Sequence, residues 1–202
     1  MSSTNTPDRQ HTAPTDRGWA SLALILSIIG FGASATLVME RLAIFADAGH
    51  RTSCDINAWL SCGTVMRTPQ AELFGFPNPF IGIVAYAVVM AIAVGVLAGA
   101  RFADWYWWLV WVGTLAGSVF TLWLWWQTTF EINTLCLYCM IVWIAQTILL
   151  AHTTARNARA GMFGDRFVRA GHSSAWAWLI AIGLLVMAFG IIAVRFATVI
   201  FA

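Results

Sequence analysis

Lysine is absent from this 202-residue chain, and charge of either sign is scarce: eleven basic residues, all arginine, face nine acidic ones, and charged side chains make up 10% of the whole. So few charges exclude an ordinary soluble domain, whose composition is about one-quarter charged. A net charge of +2 without a dense basic patch excludes a nucleic-acid-binding surface. The four cysteines have no histidine or methionine cluster beside them, which counts against a metal centre. What remains is 60% hydrophobic and holds twelve tryptophans, with the apolar residues in uninterrupted blocks. The solvent of such a chain is lipid, and the protein reads as an integral membrane protein.

Five blocks reach the roughly 20 residues that an α-helix needs to cross a bilayer. They run from Trp19 to Phe45, Phe80 to Ala100, Trp105 to Trp126, Leu135 to Ala151 and Ala175 to Val194. The expected fold is all-α: a four-helix bundle over residues 19–155 with a long loop at 46–78, a basic connection at 156–173, and a fifth transmembrane helix in 174–202. The Ser-, Thr- and Pro-rich residues 1–18 read as a disordered tail. The first apolar run is longer than a signal-peptide core and lacks a small-residue cleavage site, so it reads as an uncleaved anchor. No stretch is left over for a soluble catalytic domain.

Arg156, Arg159, Arg166 and Arg169 crowd the segment before the fifth span, opposed there only by Asp165. By the positive-inside rule this connection is cytoplasmic, and alternation of the spans makes the N-terminus cytoplasmic too. The 46–78 loop and the segment before the fourth span then share the outer face, where disulfides persist.

The cysteines fall as two pairs, Cys54 with Cys62 in the loop and Cys136 with Cys139 at a helix start. A Cys-x-x-Cys opening a helix sets two sulfurs within a turn of each other, where unpaired N–H groups favour a thiolate. The loop pair, folded over it, would be an exchange partner, and the arrangement reads as an electron relay. Asn133 or Thr134 is the expected cap of this helix. Trp143, four residues beyond Cys139, and Gln146 extend the stripe, as a flat ligand's wall or as an ordinary packing aromatic and an interhelical hydrogen bond. Two other uses of the cysteines stay open at this point, a soft-metal thiolate site and static disulfide staples.

A loop as long as 46–78 is usually functional. Its apolar residues Leu73, Phe74 and Phe76 can roof the bundle, and Gly63 beside Cys62 permits close backbone approach. His50 and Arg51 could stabilise a Cys54 thiolate that Asp55 would oppose, although loop charges are mostly solvated. Glu40 and Arg41 read as interfacial residues that snorkel or pair. Asn78-Pro79-Phe80 has the form of a capped helix start, with the Asn78 amide also placed to donate to a ligand carbonyl.

Taken together, Cys54-Asp55, Ser61-Cys62-Gly63, Phe74-Gly75, Asn78 and Cys136-Leu137-Tyr138-Cys139 resemble the vitamin K epoxide reductase family, in particular its bacterial homologues, over about Trp19 to Arg156. The resemblance implies a bundle around a quinone, menaquinone or ubiquinone, with Cys136 and Cys139 as the active pair and Cys54 and Cys62 as shuttle cysteines. It also implies quinone contacts at Asn78, Phe80 and Trp143, the last standing where vertebrate members have a tyrosine. The implied partner is a separate DsbA-like protein of thioredoxin fold, since the chain ends without such a domain. The implied location is a multi-pass protein of the bacterial inner membrane with both cysteine pairs on the extracytoplasmic side.

Overall fold

A polar backbone in hydrocarbon must satisfy its own hydrogen bonds, so the apolar blocks become helices. The computed structural model describes residues 14–164 and 174–200, which are mostly helical with no strand among them. In chain order these are α1 (Pro14–Ala46), the short α2 (Cys62–Met66), a 3₁₀ turn (Pro69–Glu72), α3 (Pro79–Leu97), α4 (Asp104–Trp126), α5 (Leu137–Arg159) and α6 (Ser174–Ile200). Five of the helices are long and apolar enough to cross a membrane, as expected.

The boundaries differ in ways that bear on the site. α1 begins at Pro14, ahead of Trp19, so the last residues assigned to the tail are helical; the first thirteen lie outside the described residues. α5 runs on to Arg159, which puts Arg156 and Arg159 on a helix, whereas Asp165, Arg166 and Arg169 lie outside the described residues. α4 ends in a π turn over Gln127–Glu131, closed by Ile132 N donating to Gln127 O at 2.8 Å. Asn133 then takes a left-handed φ of 54°, a conformation asparagine tolerates better than most residues. Neither Asn133 nor Thr134 caps α5: the Asn133 amide donates back to Phe130 O and Glu131 O, Thr134 N donates to Thr128 O, and Cys136 itself is the cap.

Packing makes α5 the hub. α1 lies against α3 and α5, and α5 lies also against α4 and α6. Gly30 lets α1 and α3 close up, because a Cβ there would sit 2.4 Å from the Tyr86 ring; small residues serve this purpose where helices meet in lipid. Interior amides join helices: Gln146 Nε2 donates to Thr114 O at 2.8 Å and to Ser118 Oγ at 3.2 Å, linking α5 to α4. At the end of α5 far from the cysteines, Arg156 is buried between Asp16 of α1, at 3.0 Å, and the Trp107 ring of α4, at 3.6 Å.

Candidate active site

The loop that follows α1 is tied down at its first turn. Glu40, near the end of α1, accepts from Ser53 N through Oε1 at 2.9 Å and meets His50 Nε2 through Oε2 at 2.8 Å. Arg41 pairs with Glu72 of the 3₁₀ turn and lies over the Phe45 ring. Both residues therefore pair, as the sequence suggested, and they do so with the loop. The His50 ring is turned to Glu40 and anchors the loop to α1.

Asp55 organises the next turn. Its Oδ1 accepts from Ser61 Oγ at 2.6 Å and from Gly63 N at 2.9 Å, and its Oδ2 accepts from Thr52 N at 2.7 Å. Burial pushes this carboxyl up, but the bonds from Ser61, Gly63 and Thr52 favour the anion more strongly and leave its pKa at about 2. Gly63 is required for this approach, since a Cβ there would stand 2.8 Å from Asp55 Oδ2. Ser61 caps α2 by accepting from Thr64 N. Asp55 and Ser61 thus hold the chain on both sides of the bridge between Cys54 and Cys62, whose Cα atoms are 5.6 Å apart.

A small parallel bridge then lays this loop on the segment leading into α5. Ser61 N donates to Leu135 O and Leu135 N donates to Trp59 O, both at 2.9 Å. Cys62 follows Ser61 and Cys136 follows Leu135, and their sulfurs come to 3.2 Å. Cys136 Sγ also accepts from Cys139 N at 3.4 Å as the α5 cap, so the first turn of the helix directs N–H groups at that sulfur. Cys136 and Cys139 are free thiols. Cys54, Cys62 and Cys136 are 2%, 0% and 0% exposed.

The two cysteine pairs therefore form one site, at one end of the bundle, with a disulfide in contact with a helix-capping thiol. A sequence profile described as the Vitamin K epoxide reductase family matches residues 21–154. The chain belongs to that family. Among curated proteins no match to the chain is found. Membership makes this protein a membrane oxidoreductase, and the matched segment holds all four cysteines, the loop and the first four long helices. α6 lies beyond the match.

The residues expected to touch a quinone are split between two places. Trp143 is buried in a cluster with Trp125, Leu135, Ile192 and Phe196, against which Cys139 packs. It lines a cavity of about 720 Å³ between α4, α5 and α6. Asn78 and Phe80 stand instead at the start of α3. Pro79 occupies the first helical position as expected, but the Asn78 side chain does not cap α3. Its Oδ1 accepts from Leu73 N at 3.1 Å and its Nδ2 donates to Gln70 O at 2.7 Å, which closes the loop and leaves one amide proton. Phe80 is exposed. Leu73 and Phe74 lean across onto α4, where Phe74 meets Phe120 at 6.0 Å and Leu73 edges a groove that ends at Trp123. A flat apolar ring fits either surface: aromatic walls are present at both, with the Asn78 amide near one and Cys139 near the other.

Three sulfurs within 4.8 Å could suggest a soft-metal site, but two of them are bonded to each other and carry no thiolate to give a metal. Sequence reasoning missed Tyr138 and the Leu60–Leu135 bridge. Tyr138 OH lies 3.2 Å from Ser53 Oγ and helps cover Cys54. Its place inside the Cys-x-x-Cys was the available signal; the bridge had none, because isolated pairing carries no sequence period.

Proposed function

We propose that this family member is a quinone-dependent thiol-disulfide oxidoreductase that reoxidises a DsbA-like, thioredoxin-fold partner outside the cytoplasm. The observation that carries the reading is the 3.2 Å contact between Cys62 and Cys136 sulfurs, which joins a surface-loop disulfide to a pair at the membrane edge. The far end of α5 bears Arg156 and Arg159, which supports a cytoplasmic far end and an extracytoplasmic cysteine end.

The chemistry is a sequence of exchanges. A partner thiolate attacks Cys54 Sγ, the Cys54–Cys62 bond breaks, and Cys62 leaves as thiolate. The partner's second thiolate resolves the mixed disulfide, so the partner leaves oxidised and the loop pair reduced. With Cys136 and Cys139 bridged, Cys62 then attacks Cys136 Sγ and expels the Cys139 thiolate, and Cys54 resolves the Cys62–Cys136 bond. The electron pair now rests on Cys136 and Cys139. A bilayer quinone accepts those two electrons and two protons as the pair closes again. Since about 30 mV corresponds to 1.4 kcal/mol for a two-electron couple, a modest potential gap drives each hop.

Cys54 is covered in the closed loop, so attack on it requires the Ser53 tethers to Glu40 and Tyr138 to release. The Asp55 clamp keeps Cys54 and Cys62 together while that happens.

The test is anaerobic mixing of the purified protein with a reduced thioredoxin-fold partner and menaquinone or ubiquinone, following quinone absorbance. Quinol forms with the native chain and fails to form when any one cysteine is replaced by Ala. In a Cys139→Ala protein Cys136 attacks Cys62 of the loop disulfide and expels the Cys54 thiolate, so a Cys62–Cys136 bridge accumulates; absence of quinol with the native chain together with absence of that bridge in the variant refutes the reading.

A further inference from the structure

α6 lies outside the family match, yet its last turns close on the cysteine site. Phe196 is 2% exposed and belongs to the buried cluster that holds Leu135, and its ring stands 6.4 Å from that of Trp59. Trp59 and Leu135 are the residues whose backbones meet, Leu135 N donating to Trp59 O, and the next bond, from Ser61 N to Leu135 O, leads into Cys62. Arg195, beside Phe196, donates through Nη2 to Asn133 Oδ1 at 2.9 Å. Asn133 makes the left-handed turn that delivers the chain to Leu135. α6 thus grips both sides of the bridge, the loop side by an aromatic contact and the α5 side by a hydrogen bond.

The bridge needs such support. Two backbone hydrogen bonds hold weakly by themselves, and a displacement of about 1 Å between reacting groups can cost on the order of 10²-fold in rate. The Asp55 bonds do not supply it, because they run to Thr52, Ser61 and Gly63 and tie the loop to itself. We propose that Arg195 and Phe196 are positioning residues that pin the Trp59–Ser61 half of the loop on the entry to α5. Cys62 then stays against Cys136 while the Ser53–Cys54 half opens to the partner. A loop that lifted as a whole would part the two sulfurs each time it admitted a thiol. The use of the contact in a relay rests on the oxidoreductase reading; the pinning is a matter of packing.

The test reads how often the sulfurs meet, with neither partner nor quinone present. In a Cys54→Ala, Cys139→Ala chain in lipid nanodiscs, Cys62 and Cys136 are the remaining thiols. Added diamide takes two electrons and two protons from them as their disulfide forms. Phe196→Ala slows this closing about tenfold and Arg195→Gln slows it severalfold, whereas Phe196→Leu, which keeps an apolar side chain in the cluster, recovers most of the rate. Trp178→Ala strips α6 of its 4.7 Å ring contact with His152 at the far end; it loosens the helix without touching the bridge, and closing keeps the parent rate. Closing unchanged by Phe196→Ala and Arg195→Gln, or slowed as much by Trp178→Ala, overturns the proposal. In the four-cysteine chain, phosphine reduction of the Cys54–Cys62 bridge proceeds equally with and without Phe196→Ala, since the outer half hangs on Ser53. Acceleration there would show α6 holding the whole loop and overturn the division into halves. A native chain that reduces no quinone sinks the relay, and the diamide rates still decide the pinning.

Discussion

The two ends of the helical bundle are both closed by polar side chains, but they are closed differently. At the far end a single buried guanidinium, Arg156, joins Asp16 of α1, Trp107 of α4 and its own α5, and Asn157 adds a 3.1 Å bond to Trp107 O. Every group there sits on a long helix, so nothing can let go without separating helices. At the cysteine end the bonds run from a loop to helix ends: Ser53 to Glu40, Ser53 to Tyr138, Ser61 to Leu135. Each is worth about 1 kcal/mol net. One end is fastened by a buried charge, the other by several weak and separable contacts. An end that must admit a partner thiol to a covered Cys54 needs the second kind, because a few such bonds can break while the bundle stays intact.

The contrast is broken most severely by Cys62→Ala, which removes the link between loop and helix; turnover falls to background in the partner-to-quinone assay, a loss of about 10³-fold or more, while melting of the helices is little changed. Arg156→Ala does the reverse. It leaves Asp16 without its partner in a half-buried site and lowers stability by about 2 kcal/mol, discounted from the 3–5 of a fully buried pair because Asp16 is partly exposed. Thermal unfolding reports the loss, and turnover measured well below the transition is retained.

Gly63→Ala sharpens the comparison within the loop. The new Cβ meets Asp55 Oδ2, the clamp opens, and turnover drops about tenfold at a stability cost of about 1–3 kcal/mol. Tyr138→Phe removes only the Ser53 contact, at about 1 kcal/mol; the Cys54–Cys62 bridge becomes severalfold faster to reduce by an added phosphine, and a rate equal to the native chain's would place the cover of Cys54 elsewhere. The smallest effect is one of pH. Asp55 has its carboxyl lowered from 3.8 to about 2 in the folded loop, so its contribution is fully present above about pH 4 and is lost as pH falls through 2. Phosphine reduction of the loop bridge is therefore flat from pH 8 to pH 5 with respect to Asp55 and accelerates only near pH 2 to 3.

Much of this was legible in the residues. Apolar runs report the lipid solvent and five crossings, because a span length is a local property of composition. The spacing of Cys136 and Cys139 and the position of Gly63 carried their meaning for the same local reason. Other features are relations between distant segments and have no local trace. The π turn that displaces Asn133 from the cap, the Leu60–Leu135 bridge, and the turning of His50 toward Glu40 all depend on how the loop settles on the helix ends. The three expected quinone contacts are relations of the same kind: Trp143 lines the cavity between α4, α5 and α6, whereas the Asn78 amide bonds within its own loop and keeps one proton free, and no local pattern shows either placement.

By itself, then, the order of amino acids determined that this chain lies in a bilayer as helices and that it carries two pairs of redox-capable sulfurs, since hydrophobic run length and residue spacing act over a few turns of chain. Only the packing decided that Cys62 and Cys136 touch, that Asp55 grips the loop, and that α6 closes an apolar slot beside Cys139, because each of these joins groups tens of residues apart whose meeting depends on how α1, α4, α5 and α6 fit together.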